Sequence, residues 1–220
     1  MATITVENYL KHVLLLSEGG DELVSMGALA EALAVVPGTV TTMVKALADA
    51  GLVEHQPRYG VRLTGGGRRV ALNVLRKHRL VETFLVHVLK MDWSKVHREA
   101  EQLEHAISAA VLDRLDALLG HPQTDPHGDP IPSRQGKLRS QVCATLATCA
   151  TELPLRIVRV TEQSDEFLRF AEQHGLQPGT SLRVTARNLA AGLITLRKPR
   201  HRPIALSLAA AGKILVEPER

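Results

Sequence analysis

Aromatic side chains make up only 3% of this 220-residue chain. Its cores therefore have to be aliphatic, built from Leu, Val and Ala. Cysteine is almost missing: Cys143 and Cys149, in an Ala/Thr-rich segment, are the whole supply. Two cysteines are too few to staple a secreted fold, so free thiols in a cytoplasmic protein are the default. No apolar run reaches the roughly 18 residues of a membrane span, so no membrane partner is expected. The opening Met-Ala-Thr-Ile-Thr-Val-Glu lacks the charged-then-apolar pattern of a secretory signal. No Ser/His/Asp or Cys/His nucleophile arrangement is evident, and no Gly-rich phosphate loop.

What is present is charge in blocks. Residues 37–80 carry eight basic residues against two acids, a net +6. Residues 81–120 carry four against seven, a net −3, and hold several histidines. A basic block followed by an acidic, His-bearing block suggests a polyanion-binding unit next to a cation-binding unit. Residues 153–220 are basic again, at +5 from eleven cations and six acids.

The first block has the pattern of a helix-turn-helix. Residues 5–18 read as a helix ended by Gly19-Gly20. Ser25 caps a short helix from Met26 to Ala34, Val35-Val36-Pro37-Gly38 turns, and a second helix runs from about Thr39 to Ala50. Val40, Val44 and Leu47 face inward. Thr39, Thr41, Thr42 and Lys45 face outward, small hydroxyls and a cation suited to phosphates and base edges. Two alternating runs, Leu52–His55 and Val61–Leu63, flank Gln56-Pro57-Arg58-Tyr59-Gly60. That is a hairpin wing with Arg58 at its tip. Residues 1–66 are thus expected to be a winged helix-turn-helix that binds double-stranded DNA, with a protein-interaction module as the alternative use of that fold.

Thr64 can cap a long helix over about 67–90, followed by a helix starting at Asp92 or Ser94 and continuing to Leu119. The second carries His97-Arg98-Glu99-Ala100-Glu101-Gln102-Leu103-Glu104-His105. At 100° per residue with His97 at zero, Glu101 falls near about 40°, Glu104 near −20° and His105 near 80°. The first long helix offers His78 and Glu82 at i and i+4, inside an apolar stripe of Leu75, Val81, Leu85 and Leu89. Carboxylates and imidazoles converging in this way repel or desolvate one another unless a cation joins them. Oxygen and imidazole donors without thiolate suit Mn(II), Fe(II), Co(II) or Zn(II). Residues 67–132 are therefore expected to form a helical metal-binding domain, with surplus aliphatic stripes available for a homodimer interface.

Beyond Gly120, Pro and Gly dominate as far as Pro132, and Asp125 and His127 are expected on a solvated loop. A polar linker, 133–152, follows. In 153–220 the period changes: Leu155–Val160, Ser181–Ala186, Leu193–Leu196, Pro203–Leu208 and Lys213–Glu217 read as strands, with one helix, Ser164–His174, between the first two. Five short strands suggest a small barrel. The fold class expected is mostly α with a small β domain.

These residues, in this order, resemble a known family. Glu-Asn-Tyr-Leu at 7–10, Ala-Glu-Ala-Leu-Ala-Val at 30–35, Thr39-Val40-Thr41 and Lys77-His78-Arg79-Leu80 are part of the likeness. Lys95-Val96-His97-Arg98-Glu99-Ala100, Glu104-His105 and Pro126-His127-Gly128-Asp129-Pro130-Ile131-Pro132 continue it. Together they look like a metal-dependent transcriptional regulator of the diphtheria toxin repressor and manganese transport regulator family, over nearly the whole chain. The resemblance implies an SH3-like (FeoA-like) C-terminal β-barrel and a cytoplasmic homodimer that binds operator DNA when loaded with Mn(II) or Fe(II). It maps a primary metal site to Asn8, Glu101, Glu104, His105 and His78. An ancillary site maps to His78, Glu82 and His97, with Gln163 and Glu166 from the tail. Some members recruit the Pro-His-Gly loop, here Asp125 and His127.

Two positions depart from the family. Asn8 stands where Asp or Met is usual, and Lys11 replaces an acid that manganese-type members use as a ligand. A two-metal cluster is therefore not expected; one primary ion plus an ancillary one is easier to accommodate. Glu101, Glu104 and His105 are hard donors that point to Mn(II) first and Fe(II) second. The alternatives are a zinc-type hydrolase using the His/Glu cluster and a winged-helix protein independent of metal.

Overall fold

The computed structural model describes residues 3–17, 19–139 and 143–219. It divides the chain into two units. One comprises the chain up to His78 with 102–112 and 131–139; the other comprises 79–101, 113–130 and the chain from 143 onward.

In the first unit, α1 (Ile4–Leu16) is capped by Thr3, whose hydroxyl accepts from Val6 N at 3.3 Å. The expected last residue of that helix, Glu18, lies outside the described residues. Ser25 caps α2 (Met26–Ala32) in the same way. Pro37 opens α3 (Pro37–Asp49), two residues earlier than expected, because a proline costs a helix no hydrogen bond in its first turn. β1 (Val53–Gln56) and β2 (Gly60–Leu63) pair antiparallel as the wing, from Val53↔Leu63 to Gln56↔Gly60. Val24 and Val61 exchange backbone hydrogen bonds of 2.8 and 2.9 Å, which moors the wing to the segment entering α2. The core is aliphatic apart from Tyr9: Leu10, Val13, Leu14, Leu29, Val40, Val44, Leu47, Leu72 and Leu75.

The long helix α4 (Gly65–His87) passes through both units, with Thr64 accepting from Gly67 N at 3.1 Å. Its glycine-rich start has a packing cause. A Cβ on Gly67 would lie 2.0 Å from the carbonyl oxygen of Leu52, so only glycine lets the helix pass the wing that closely.

The next helix differs from expectation. It is not continuous to Leu119 but breaks into α5 (Val96–Leu103) and α6 (Ala109–Leu118). Glu104, His105 and Ala106 form a turn, and Ser108 restarts the helix by accepting from Val111 N through its hydroxyl. The apolar stripe runs on through this break, which is why periodicity alone joins the two. The geometry that set His97, Glu101, Glu104 and His105 on one helical face is accordingly corrected.

The second unit holds a six-stranded antiparallel sheet. Its strands are β3 (Ala144–Thr145), β4 (Leu155–Val160), β5 (Ser181–Asn188), β6 (Leu193–Arg197), β7 (Ile204–Ser207) and β8 (Ile214–Pro218), in the spatial order β3-β8-β4-β5-β6-β7. The helices α7 (Asp165–Gln173) and α8 (Leu208–Ala211) are capped by Ser164 and Ser207. Ile157, Val184, Ile194, Leu196 and Ile214 alternate into one core with Leu168 of α7 and Trp93. The described part of the expected 133–152 linker is not merely linker: Ala144 pairs with Val216, and Leu146 and Cys149 are buried in that core. Ser140–Val142 lie outside the described residues. Among the described residues no single helix is long and apolar enough to cross a membrane.

Candidate functional site

On α3, Thr39, Thr42 and Lys45 are exposed and Thr41 is half-buried, opposite the buried Val40, Val44 and Leu47. Thr41 and Thr42 each donate a 3.1 Å hydrogen bond back to a carbonyl one turn earlier, those of Pro37 and Gly38. Their hydroxyl oxygens keep a lone pair for an outside donor. Arg58 is exposed at the wing tip in a left-handed backbone conformation (φ 71°). Arg62 is engaged elsewhere: its Nε and Nη2 reach one oxygen of its cross-strand partner Glu54, at 2.8 and 2.6 Å.

The second unit gathers Glu82, Asp125 and His127 into a buried cluster. Glu82 comes from α4, Asp125 and His127 from the loop before Pro130. One donor atom from each lies within 4.8 Å of the others. Expected on a solvated loop, Asp125 and His127 are instead buried, His127 completely. Charged partners far off in sequence explain this. Arg79 lies 3.6 Å from Asp125 Oδ2, donates to Pro130 O at 2.6 Å and meets Asp129 Oδ1 at 3.3 Å. Arg159 pairs with the same Asp129 oxygen, and Gln163 Nε2 donates to the other at 2.5 Å. Asp125 Oδ1 accepts from the backbone N–H groups of His127 and Asp129, both at 2.9 Å. Gly128, at φ +89°, lets the loop lie against β4; a Cβ there would sit 1.9 Å from Val158 O.

One nitrogen of the His127 ring has a fixed role. Nε2 is 3.0 Å from the carbonyl oxygen of Trp93, which can only accept, so Nε2 carries the hydrogen. The ring stacks on Trp93 with centroids 5.4 Å apart. Nδ1 is buried and without a hydrogen-bond partner. It lies 3.8 Å from Glu82 Oε2 and 4.0 Å from Asp125 Oδ1, beyond hydrogen-bond range. Burial, then the charges of Asp129 and Glu82, push the Asp125 carboxyl well above the usual carboxylate range, against the opposing pull of Arg79. An orphaned imidazole nitrogen facing two buried carboxylates fits a divalent cation. Donors around one ion at about 2.1 Å stand about 3–4 Å from one another. His97 adds its Nδ1, 3.2 Å from Glu82 Oε1, and Glu101 Oε1 is 3.7 Å from His97 Nε2. His97 and Glu101 are open to solvent, with side chains 46% and 44% exposed.

Glu104 and His105 belong to the first unit. Glu104 is fully buried, with Lys11 Nζ 2.7 Å from Oε1 and His78 Nδ1 2.6 Å from Oε2. Burial pushes its carboxyl up, but His78 and then Lys11, by hydrogen bond and charge, hold it below the usual range. His105 Nδ1 is 2.6 Å from Glu7 Oε2, and its Nε2 is 2.9 Å from Asn8 Oδ1. Of the tail residues, Gln163 meets Asp129 and Glu166 is exposed in the first turn of α7. Sequence reasoning missed the parts played by Arg79, Trp93, Asp129 and Arg159. The one local signal was Asp125-Pro126-His127-Gly128-Asp129, two acids flanking a histidine and a glycine.

Comparison with known proteins divides the chain into three segments. Residues 1–61 match the iron dependent repressor N-terminal DNA binding domain, 64–133 the iron dependent repressor metal binding and dimerisation domain, and 144–218 the FeoA domain. The chain is 33% identical over 226 aligned positions to the iron-dependent repressor IdeR of Mycobacterium leprae, covering 97% of this chain and 96% of that one. It is 32% identical to the diphtheria toxin repressor of Corynebacterium diphtheriae, over 87% and 88% of the two chains. A solved manganese-dependent transcriptional repressor in complex with manganese superposes with a TM-score of 0.87 at 38% identity, over 97% of this chain and 100% of that one.

Proposed function

The chain belongs to the iron-dependent repressor family, and from that premise we propose that it represses transcription by binding operator DNA as a homodimer when Mn(II) or Fe(II) occupies the Glu82, Asp125 and His127 cluster. The observation that carries this reading is the buried, unpartnered Nδ1 of His127 facing two carboxylates. An ion there supplies the positive charge that lets Glu82 and Asp125 be ionised side by side, joining α4 to the 124–130 loop. His97 and Glu101 stand beside it as further donors. Two carboxylates and an imidazole form a mostly hard set, which favours Mn(II) and then Fe(II). The genes controlled are those of metal homeostasis, and the site of action is the cytoplasm, where the DNA is.

The reading is tested by anisotropy of a labelled duplex, selected from genomic fragments by the Mn(II)-loaded protein. Binding is expected in Mn(II), or in Fe(II) without oxygen, and to be lost in a strong chelator. Equal affinity in chelator means that metal does not gate the protein.

DNA readout is assigned to α3 and the wing. Lys45 and Arg58 contact phosphate, so either alanine variant should weaken all sequences alike and lower the salt slope by about one unit. Thr42 reaches a base edge; Thr42→Ala should cost on the order of 1 kcal/mol on the operator and leave random DNA unaffected. Equal losses on both DNAs reject that role.

A further inference from the structure

The Glu104 cluster has the residue types of a metal site, yet its own side chains already complete it. Glu104 Oε1 faces the Lys11 ammonium at 2.7 Å and Oε2 faces His78 Nδ1 at 2.6 Å. His105 has an oxygen against each ring nitrogen: Glu7 Oε2 against Nδ1, and Asn8 Oδ1 against Nε2, with Glu104 Oε1 also 3.3 Å from Nε2. Among the described residues, no side-chain atom of this cluster appears with the buried atoms that lack a partner, in contrast to His127 Nδ1. Lys11 is only 3% exposed, so its ammonium has little water to retreat into. A metal ion on Glu104 Oε1 would bind at about 2.1 Å, on the oxygen that the ammonium already holds. The two cations would then lie a few ångströms apart in a buried place, where repulsion is poorly screened.

We propose that the Lys11 ammonium is the built-in cation of this cluster, which is thereby closed to metal, and that the chain takes a single divalent ion per protomer. The inference rests on the reading of Glu82, Asp125 and His127 as the metal centre. It places Glu7, Asn8 and Lys11 of α1 in permanent attachment to the Glu104–His105 turn, with or without metal. That attachment is then structural, and the response to metal arises at the other cluster alone.

The test counts Mn(II) equivalents bound by the full-length protein, using electron paramagnetic resonance of free Mn(II). Wild type is expected to bind one, and His127→Ala none. The double variant Lys11→Met, Glu104→Gln removes both charges of the pair at nearly constant side-chain length, and should still bind one. Lys11→Glu, which swaps the cation for an acid, should gain a second. Two equivalents in wild type, one lost in the double variant and the other in His127→Ala, overturn the inference while leaving the His127 centre standing. One equivalent that survives His127→Ala but is lost in the double variant overturns both. Lys11→Glu remaining at one shows that Lys11 is not what closes the cluster, and also overturns the inference.

Discussion

His127→Ala is expected to need at least about 100-fold more free Mn(II) than wild type to bind the operator duplex. Removing a residue that merely orients a ligand costs about 10–100-fold in metal affinity, and His127 offers the ligand atom itself. The variant also removes the ring that donates to Trp93 O. A buried carbonyl left unpaired costs about 1–3 kcal/mol, so the metal-free melting temperature has to be measured beside the titration. Asp125→Asn separates the two effects. It keeps the volume and the two bonds accepted from His127 N and Asp129 N, but removes the charge. It should therefore weaken Mn(II) binding without lowering, and with some gain in, metal-free stability, because burial and the charges of Asp129 and Glu82 already disfavour an ionised Asp125. Metal ligands must be deprotonated, and the proton on Asp125 leaves only above the ordinary carboxylate range. Wild-type Mn(II) affinity should thus begin to fall at a higher pH than an ordinary carboxylate would dictate. Full operator response of His127→Ala at wild-type Mn(II) levels would remove that residue from the centre.

Glu104→Ala is expected to act in the opposite way, as a stability defect that metal does not repair. It strands the Lys11 ammonium, 3% exposed, without its carboxylate. Breaking a buried ion pair by removing one partner costs about 3–5 kcal/mol, a large part of the roughly 5–15 kcal/mol that holds a typical domain together. Urea denaturation in chelator should show the loss. The Lys11→Met, Glu104→Gln double variant should recover most of it, because neutral groups of similar size leave no buried charge. A Glu104→Ala protein as stable as wild type would mean that the pair contributes nothing.

The contrast between these two variants marks where the sequence was legible. The helix-turn-helix, its wing and the tail strands all follow from local signals: Ser25 as a cap, Val35–Gly38 as the turn between two helices, alternating runs around Pro57 and Gly60. Those signals act within a turn or a hairpin, so a local pattern suffices. The break between α5 and α6 was not legible, because the apolar stripe continues across it and Ser108 is its only punctuation. Glu104 and His105 consequently read as neighbours of His97 and Glu101, whereas they sit in a turn with partners on α1. The 125–130 loop failed for a different reason. Its Pro/Gly composition is that of a solvated loop, and it is buried by Arg79 and Arg159, which pair with Asp129 from well outside it. Long-range ion pairs of this kind leave no periodic trace. β3 was missed because Ala144 and Thr145 look like linker, and only their pairing with β8 makes them a strand.

The position of the ion decides between the two clusters. Crystals of the full-length protein grown in Mn(II), with diffraction recorded on either side of the manganese absorption edge, test it most directly. One anomalous peak per protomer is expected, within ligand distance of His127 Nδ1 and of Glu82 and Asp125 oxygens, with Lys11 still on Glu104. A peak bound by Glu104 and His105, with His127 Nδ1 unligated, would contradict it.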